Sequence, residues 1–389
     1  MIIKNVRIVD HQQDFKGGLR IAEGKIAQIF VDKAPEAKEG EPVLDGKGAV
    51  LMPGFIDMHT HLRDPGQTHK ESLESGLKAA ARGGYVWVCA MANTDPVTDT
   101  ADKVRQIQRR AENFRLPALT QASALTINFE DRVQALVDVE SIRKETKLFS
   151  NDGKNVGESQ LMQKGLRLSK QLDFILSCHC EPEADMVEKI IEENQSIGGN
   201  LHICHISQKE TVQYIRRAKE KGTAISCEAT PHHLYASNND YTVNPPIGSE
   251  EDRRALIEGI KDGTVDVVAT DHAPHTEEDK KNGMPGISNI EYAFSMVHTV
   301  LSDNGIGLQT LSRLMSKRPA ELLKEDRGEI QVGKEADLVL VRPESSMEVR
   351  TDDFISKGKN TPFEGDVLQG EVVTTIVKGA IVYDHGSIA

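Results

Sequence analysis

Between residue 54 and about residue 275, short apolar runs alternate with amphipathic stretches of helical period. The strand-like runs fall at 54–61, 85–92, 118–124, 147–151, 174–180, 200–206, 224–230 and 265–271. Helical patterns lie between them, near 70–82, 99–113, 130–145, 157–172, 183–195, 208–221 and 250–262. Eight buried strands with helices between them predict a parallel (β/α)₈ TIM barrel, an α/β fold, over any other layer architecture. A doubly wound open sheet is the competing fold. It needs a glycine-rich phosphate turn after an early strand, and Gly83-Gly84 precedes its strand instead. Residues 290–325 read as helical, with an amphipathic piece from Leu308-Gln309-Thr310-Leu311 onward closing the barrel.

The two ends of the chain have a different texture. Residues 1–52 alternate apolar and polar, with a hairpin over 19–29 turning at Gly24 and a further strand at Ala49-Val50-Leu51-Met52. Ala336–Val341 and Val372–Tyr383, the latter with a Lys378-Gly379 turn, repeat that texture without helices between them. One small β-sandwich domain assembled from both termini explains the match. The expected organisation is therefore 1–52 and 329–389 for the β domain, and 53–328 for the barrel.

Composition narrows the partners. With 389 residues, a hydrophobic content of 38% and 28% charged residues, the chain reads as an ordinary globular protein. A formal net charge of −13 with no basic stripe argues against nucleic acid or an anionic membrane as partner. It leaves room for a small anionic substrate held by a local arginine. No apolar run approaches the roughly 20 residues of a membrane span, and the start, Met1-Ile2-Ile3-Lys4-Asn5, lacks a signal-peptide pattern. The cytoplasm is the expected location. Cys89, Cys178, Cys180, Cys204 and Cys227 all sit in apolar strand-like runs, and their odd number argues against a disulfide framework. Cys178 and Cys180 flank His179 on the opposite face and read as packing residues.

In such barrels the chemistry comes from the C-terminal ends of the strands and the loops just after them. The first strand ends His59-Thr60-His61, and residues two apart on a strand face the same way, so the two imidazoles point together. Arg63 follows, and Asn93 ends strand two. Asp152 follows strand four, His179 ends strand five with Glu181 beyond, and Asp271 ends strand eight. Strand six carries His202 and His205, three apart and so on different faces; the later, His205, is expected inward and His202 in packing or a satisfied hydrogen bond. Metal-ligand types thus end strands one, four, five, six and eight. Histidines with carboxylates suit zinc among the common metals, and an aspartate able to bridge raises the possibility of two ions.

His59-Thr60-His61-Leu62-Arg63-Asp64-Pro65-Gly66, Asn93-Thr94, Asn151-Asp152-Gly153, His179-Cys180-Glu181, His202-x-x-His205-x-Ser207, Asn244-Pro245-Pro246 and Asp271-His272-Ala273-Pro274-His275 together resemble the dihydroorotases, in the longer bacterial class of the amidohydrolase superfamily. The resemblance covers nearly the whole chain. It implies that His59, His61, Asp152, His179, His205 and Asp271 hold one or two zinc ions per subunit. It implies that Arg63, Asn93 and His275 hold the substrate's free carboxylate, that Asn244 contacts the ring, and that Pro285-Gly286 begins a substrate-contacting loop. Asp271 is then the general base and acid. His232 and His233 are not ligands on this matching and are expected in loop packing. The implied reaction interconverts N-carbamoyl-L-aspartate and (S)-dihydroorotate, in a homodimer.

The related hydantoinases and allantoinases place a carboxylated lysine at the bridging position. Strand four offers only Lys147, at its entrance, so that role falls to Asp152. The sequence departs from the family at Ala92, at Ile247-Gly248, in the shorter stretches before His205 and before Asn244, and after Pro285-Gly286-Ile287. None of these removes an expected metal ligand. Two alternatives remain: a non-catalytic scaffold for aspartate carbamoyltransferase, and a hydantoinase- or allantoinase-type hydrolase of a neutral ring.

Overall fold

A computed structural model describes residues 1–385. Eight short parallel strands form a barrel: Phe55–Thr60, Tyr85–Ala90, Ala118–Gln121, Leu148–Ser150, Ile175–Cys178, Leu201–Ile203, Ile225–Ala229 and Val267–Val268. The first three pair in one group and the last five in another. A bridge between Ser123 and Phe149 joins the groups on one side, and a bridge between Thr60 and His272 closes the ring on the other. The closing seam is reinforced by a buried carboxylate. Asp57 accepts from the Thr270 backbone N–H (3.0 Å), the Thr270 hydroxyl (2.5 Å) and the His59 backbone N–H (3.1 Å).

Helices follow the strands where sequence period and caps agree. Leu73–Arg82 starts at Ser72 and Glu250–Asp262 at Ser249, each in a reciprocal capping box, while Thr100 caps Ala101–Glu112. Each buries one apolar face against the barrel, for instance Leu73 and Leu77, Val104 and Ile107, Leu256 and Ile260. Inside the ring, Ile56, Met58, Cys89, Leu148, Ile175 and Val267 form a cluster drawn from five strands, with Ala320 and Leu323 of the last helix packed on it. The barrel is filled, not a pore.

The helical pattern at 130–145 is not realised. Only Val139–Ile142 makes an α-helical turn, after a 3₁₀ turn at Val133–Ala135. The Asp131 carboxylate accepts the backbone N–H groups of Gly157 (3.2 Å) and Glu158 (3.1 Å), and Thr126 bridges to Leu136. These tertiary ties override a weak local preference. The region from 290 to 325 is helical in pieces: Ala293–Asp303, Leu308–Ser312 and Arg318–Leu323, with a π-helical turn at Arg313–Lys317.

Both ends of the chain enter one sheet. Val50–Pro53 runs parallel to Ile2–Val9 and antiparallel to Leu338–Glu348. Asp14–Ala22 and Lys25–Val31 extend the sheet on one side, Val367–Val377 and Ala380–Asp384 on the other. The hairpin turns Glu23-Gly24 (φ 52° and 75°) and Lys378-Gly379 (φ 48° and 77°) are left-handed at both residues, the geometry whose twist suits a two-residue connection. Ile3, Ile8, Leu19, Ile26, Leu51, Leu340 and Ile376 give this sheet its own core. Val50–Pro53 then passes through Gly54 directly into the first barrel strand. A side chain at Gly54 would meet Val86 Cγ1 at 2.2 Å, which is why a glycine stands at this junction.

Phe55 anchors that junction, fully buried with its ring 5.8 Å from Tyr85 and 5.5 Å from Phe294. Phe55→Ala is expected to cost about 3–5 kcal/mol. Chemical denaturation followed by far-UV circular dichroism would then show a lowered midpoint.

Candidate active site

The six expected ligands lie at or just past strand ends on one face of the barrel. His59 is in the first strand and His61 just beyond it; Asp152, His179, His205 and Asp271 each follow their strand by one to three residues. Their side chains meet. His59 Nε2 lies 3.3 Å from Asp152 Oδ1 and 3.5 Å from Asp271 Oδ1, and His61 Nε2 lies 3.0 Å from Asp271 Oδ1 and 3.4 Å from Asp152 Oδ2. Across Asp152, His205 Nε2 approaches Oδ1 at 3.5 Å and His179 Nδ1 at 4.0 Å, while the two imidazoles face each other at 3.1 Å. Asp152 therefore sits between two pairs of histidines, with Asp271 on the first pair.

Arg63 (φ 55°), His205 (φ 31°) and Asp271 (φ 47°) all adopt left-handed backbone conformations. Non-glycine residues seldom do so. Each occupies the turn just after a strand, where the chain swings from the barrel wall across its mouth.

Carboxylates and imidazoles this close set each other's charge. Burial works against a proton on His59, but Asp152, Glu228 and Asp271 outweigh it and raise its pKa well above the ordinary value. Burial would likewise raise Asp152, yet His59 and the other imidazoles hold it well below the ordinary carboxylate range. The field that favours a proton on His59 Nε2 also favours a divalent cation there. His59 Nε2 and Asp152 Oδ1 are buried without a hydrogen-bond partner, a costly arrangement for a protein alone but a natural one for metal ligands. His59, His61 and Asp271, and separately His59, Asp152 and His205, offer ligand atoms within 4.8 Å of one another. The donor set fits a metal ion. Cys204 is near the second group, but burial pushes its thiol up to about 12, leaving it a poor thiolate.

A cavity of about 200 Å³ opens over this cluster. Arg63, Asn93, Asn244, His275, Pro285 and Gly286 line it, together with His61, Asp152, His179, His205 and Asp271. Of the expected site residues only His59 does not reach the cavity wall; it is fully buried beneath. Arg63 and His275 form one side, with Arg63 donating to His275 Nε2 (3.1 Å) and to the Pro274 carbonyl (3.3 Å). Burial and the Arg63 charge push His275 down to about 3, so its imidazole is neutral and able to accept that bond. Asn93 spans two of the expected ligands, its Oδ1 at 2.9 Å from His61 Nδ1 and its amide donating to Asp152 (3.3 Å). Asn244 reaches from the opposite side to Glu181 (3.3 Å).

Lys147 is elsewhere. It lines a separate cavity at the other end of the barrel, near Arg318 and Lys324, and its ammonium lies 3.5 Å from Glu325. His202 is satisfied on both ring nitrogens, by Ser226 (2.8 Å) and Glu228 (3.0 Å). His233 is bonded by the Thr230 hydroxyl (2.7 Å) and the Pro245 carbonyl (3.0 Å), a packing role. His232 is buried beside Asn289, 3.3 Å from its amide.

Residues 50–382 match the amidohydrolase family. The chain is 42% identical to a dihydroorotase of Clostridium botulinum (strain Eklund 17B / Type B) over 98% of its own length and 99% of that relative. The chain belongs to this family, in its dihydroorotase branch. A dihydroorotase of Bacillus subtilis (strain 168) is 34% identical, over 91% of each chain. In architecture the protein is similar to the L-hydantoinase (dihydropyrimidinase) of Arthrobacter aurescens, with a TM-score of 0.89 at 23% identity, covering 99% of this chain and 96% of that one. That likeness establishes the barrel with its terminal β sheet. It carries no substrate information.

Glu228 was not singled out by the sequence. It lies fully buried on the seventh strand, accepts from His59 Nδ1 at 2.6 Å and from His202 Nε2 at 3.0 Å, and is held at about 2 because His59 and His202 outweigh its burial. Its one signal was a lone acid in the apolar run Ile225-Ser226-Cys227-Glu228-Ala229. By accepting the Nδ1–H hydrogen bond it holds the ring with Nε2 of His59 facing Asp152 and Asp271. Partners of this kind are worth roughly 10–100-fold in metal affinity. Glu228→Gln is expected to weaken metal binding by a factor in that range, read by competition with a chromogenic chelator.

Proposed function

We propose that this chain is a zinc-dependent dihydroorotase, interconverting N-carbamoyl-L-aspartate and (S)-dihydroorotate in de novo pyrimidine (UMP) biosynthesis. The observation that carries the reading is one small cavity with imidazoles and carboxylates at its floor and Arg63 at its side. A volume of about 200 Å³ suits a single ring, and a half-buried guanidinium beside it suits a ring bearing a carboxylate. A neutral hydantoin would offer Arg63 no carboxylate to grip. The position of Lys147 also speaks against the hydantoinase reading, because it lies at the far end of the barrel, whereas Asp152 lies among His59, His61 and His205. The scaffold reading expects metal-site side chains to be lost, and this chain has all six.

A bound zinc ion supplies a water-derived nucleophile near neutral pH and an electrophile for the amide carbonyl. The protein supplies placement and the proton. Arg63, with Asn93 and His275 nearby, fixes the substrate carboxylate, so the ring amide is presented to the floor of the cavity in one orientation. Asn244 and the Pro285-Gly286 backbone close over the ring. Asp271 takes the proton from the attacking water and returns it to the ring nitrogen as the C–N bond breaks; the reverse sequence closes the ring. Five reduced, buried cysteines agree with a cytoplasmic setting.

The test is loss of the dihydroorotate amide absorbance with purified, zinc-supplemented protein, with hydantoin in parallel. Chelator-sensitive turnover of dihydroorotate alone is expected; turnover of hydantoin alone would overturn the substrate assignment. Asp271→Ala is expected to lower kcat by roughly 10²–10⁴-fold with the fold retained. Arg63→Lys, which exchanges a two-pronged donor for a point charge, is expected to raise KM by about tenfold or more.

A further inference from the structure

Between the strands Leu338–Glu348 and Val367–Val377 the chain leaves the terminal sheet and crosses to the mouth of the barrel. Its buried residues Ser356 and Asn360 dock there. The Ser356 backbone N–H donates to Glu291 (2.9 Å), and its hydroxyl donates to Glu71. Asn360 is the centre of the contact. Its amide nitrogen donates to the carbonyls of Ala273 (3.1 Å) and Gly286 (3.0 Å). Its amide oxygen accepts the backbone N–H of His275 (2.9 Å) and the Ser288 hydroxyl (2.7 Å), and its own carbonyl accepts the Ser288 N–H (2.8 Å). One side chain thus ties the segment carrying His275 to the segment carrying Gly286, with every amide function used.

Besides Asn360, Asn289 joins the two segments at their inner end, its N–H donating to His272 Nδ1 (3.2 Å) and its amide to the Thr270 carbonyl (2.7 Å). They share the Ala273 N–H bond to the Ile287 carbonyl (2.8 Å), and Lys280 holds the Gly286 carbonyl from the other side (3.0 Å). They meet closely: a side chain at Gly286, where φ is 144°, would lie 2.7 Å from the Ala273 carbonyl and 2.9 Å from the His275 ring. A shift of either segment therefore moves His275, and with it Arg63, which it accepts at 3.1 Å.

We infer that Asn360 is a positioning residue for the substrate carboxylate: it sets the distance between the His275 and Gly286 walls of the cavity without touching substrate or metal. The inference rests on the dihydroorotase reading for the identity of the ligand, and on the geometry alone for the clamp. Asn360→Ala leaves the Ala273 carbonyl and the His275 N–H without their Asn360 partner in a buried place, and the Gly286 carbonyl with Lys280 alone. The expected result is a KM for dihydroorotate raised about tenfold or more, kcat within about threefold, and unchanged bound zinc. Ser288→Ala, which removes a single bond to the same amide, is expected to move KM the same way by a smaller factor. Hydrogen–deuterium exchange of both variants should rise in 273–288 and not in the barrel strands. A merely structural role would instead lower the active fraction, and so kcat, at constant KM. That outcome, or unchanged KM in both variants of an active enzyme, overturns the inference. If the unmutated protein leaves dihydroorotate untouched while exchange in 273–288 still rises on substitution, the substrate reading fails and the clamp stands; unchanged exchange removes the clamp whatever the substrate.

Discussion

A carboxylate buried at the centre of a protein is costly unless charge and hydrogen bonds surround it. Asp152 is that carboxylate here, and the rest of the site follows from satisfying it. One oxygen is shared by His59 at 3.3 Å and His205 at 3.5 Å, and the other by His61 at 3.4 Å and the Asn93 amide at 3.3 Å. These partners come from strands one, two and six, with His179 from strand five slightly farther off. Only a closed ring of parallel strands brings so many separate chain ends to one point. The barrel is thus the condition for the site, and its closing seam at Asp57 and Thr270 is adjacent in sequence to both His59 and Asp271.

The terminal sheet belongs to this logic. Its strand Val50–Pro53 continues into the first barrel strand, so the sheet fixes where the His59 strand begins. Its excursion at 349–366 then returns to the opposite, open end and binds Glu71 and Glu291 through Ser356 and the Ala273 carbonyl through Asn360. A single small sheet therefore holds the barrel at the start of its first strand and at the loops over its mouth. Loops that must bind a small ring gain rigidity this way without losing their place at the surface.

The period-two and strand–helix patterns made the barrel, all eight strands and both terminal hairpins legible, because each depends on local burial alone. The metal-type residues were legible for a related reason: polar side chains at the ends of apolar runs have few other uses. Long-range partners were not. Glu228, Asp57 and Asn360 act through residues 169, 213 and at least 72 positions away, and nothing in their neighbours announces those contacts. Asn93 was legible as a site residue, but its use between His61 and Asp152 required the fold. The stretch 130–145 misled because its period is helical while the Asp131 carboxylate is engaged by residues 26 and 27 positions on. Local pattern loses where one side chain offers a better bond at a distance.

The backbone at the mouth shows what the scaffold must sustain. Left-handed residues other than glycine cost about 1–3 kcal/mol each, and Arg63, His205 and Asp271 are three of them at one site. Each is pinned by a bond that a relaxed conformation would lose. The Arg63 carbonyl accepts the Gln67 N–H at 2.9 Å, the His205 N–H points to Glu228 at 3.4 Å, and the Thr270 hydroxyl takes the His272 N–H at 3.0 Å. The strain turns three side chains inward from strands that would otherwise carry them past the cavity. It can be held because the ring beneath the mouth is filled with apolar side chains, with Ala320 and Leu323 of the last helix packed on them. Stability and chemistry are thus divided between the two ends of the same eight strands.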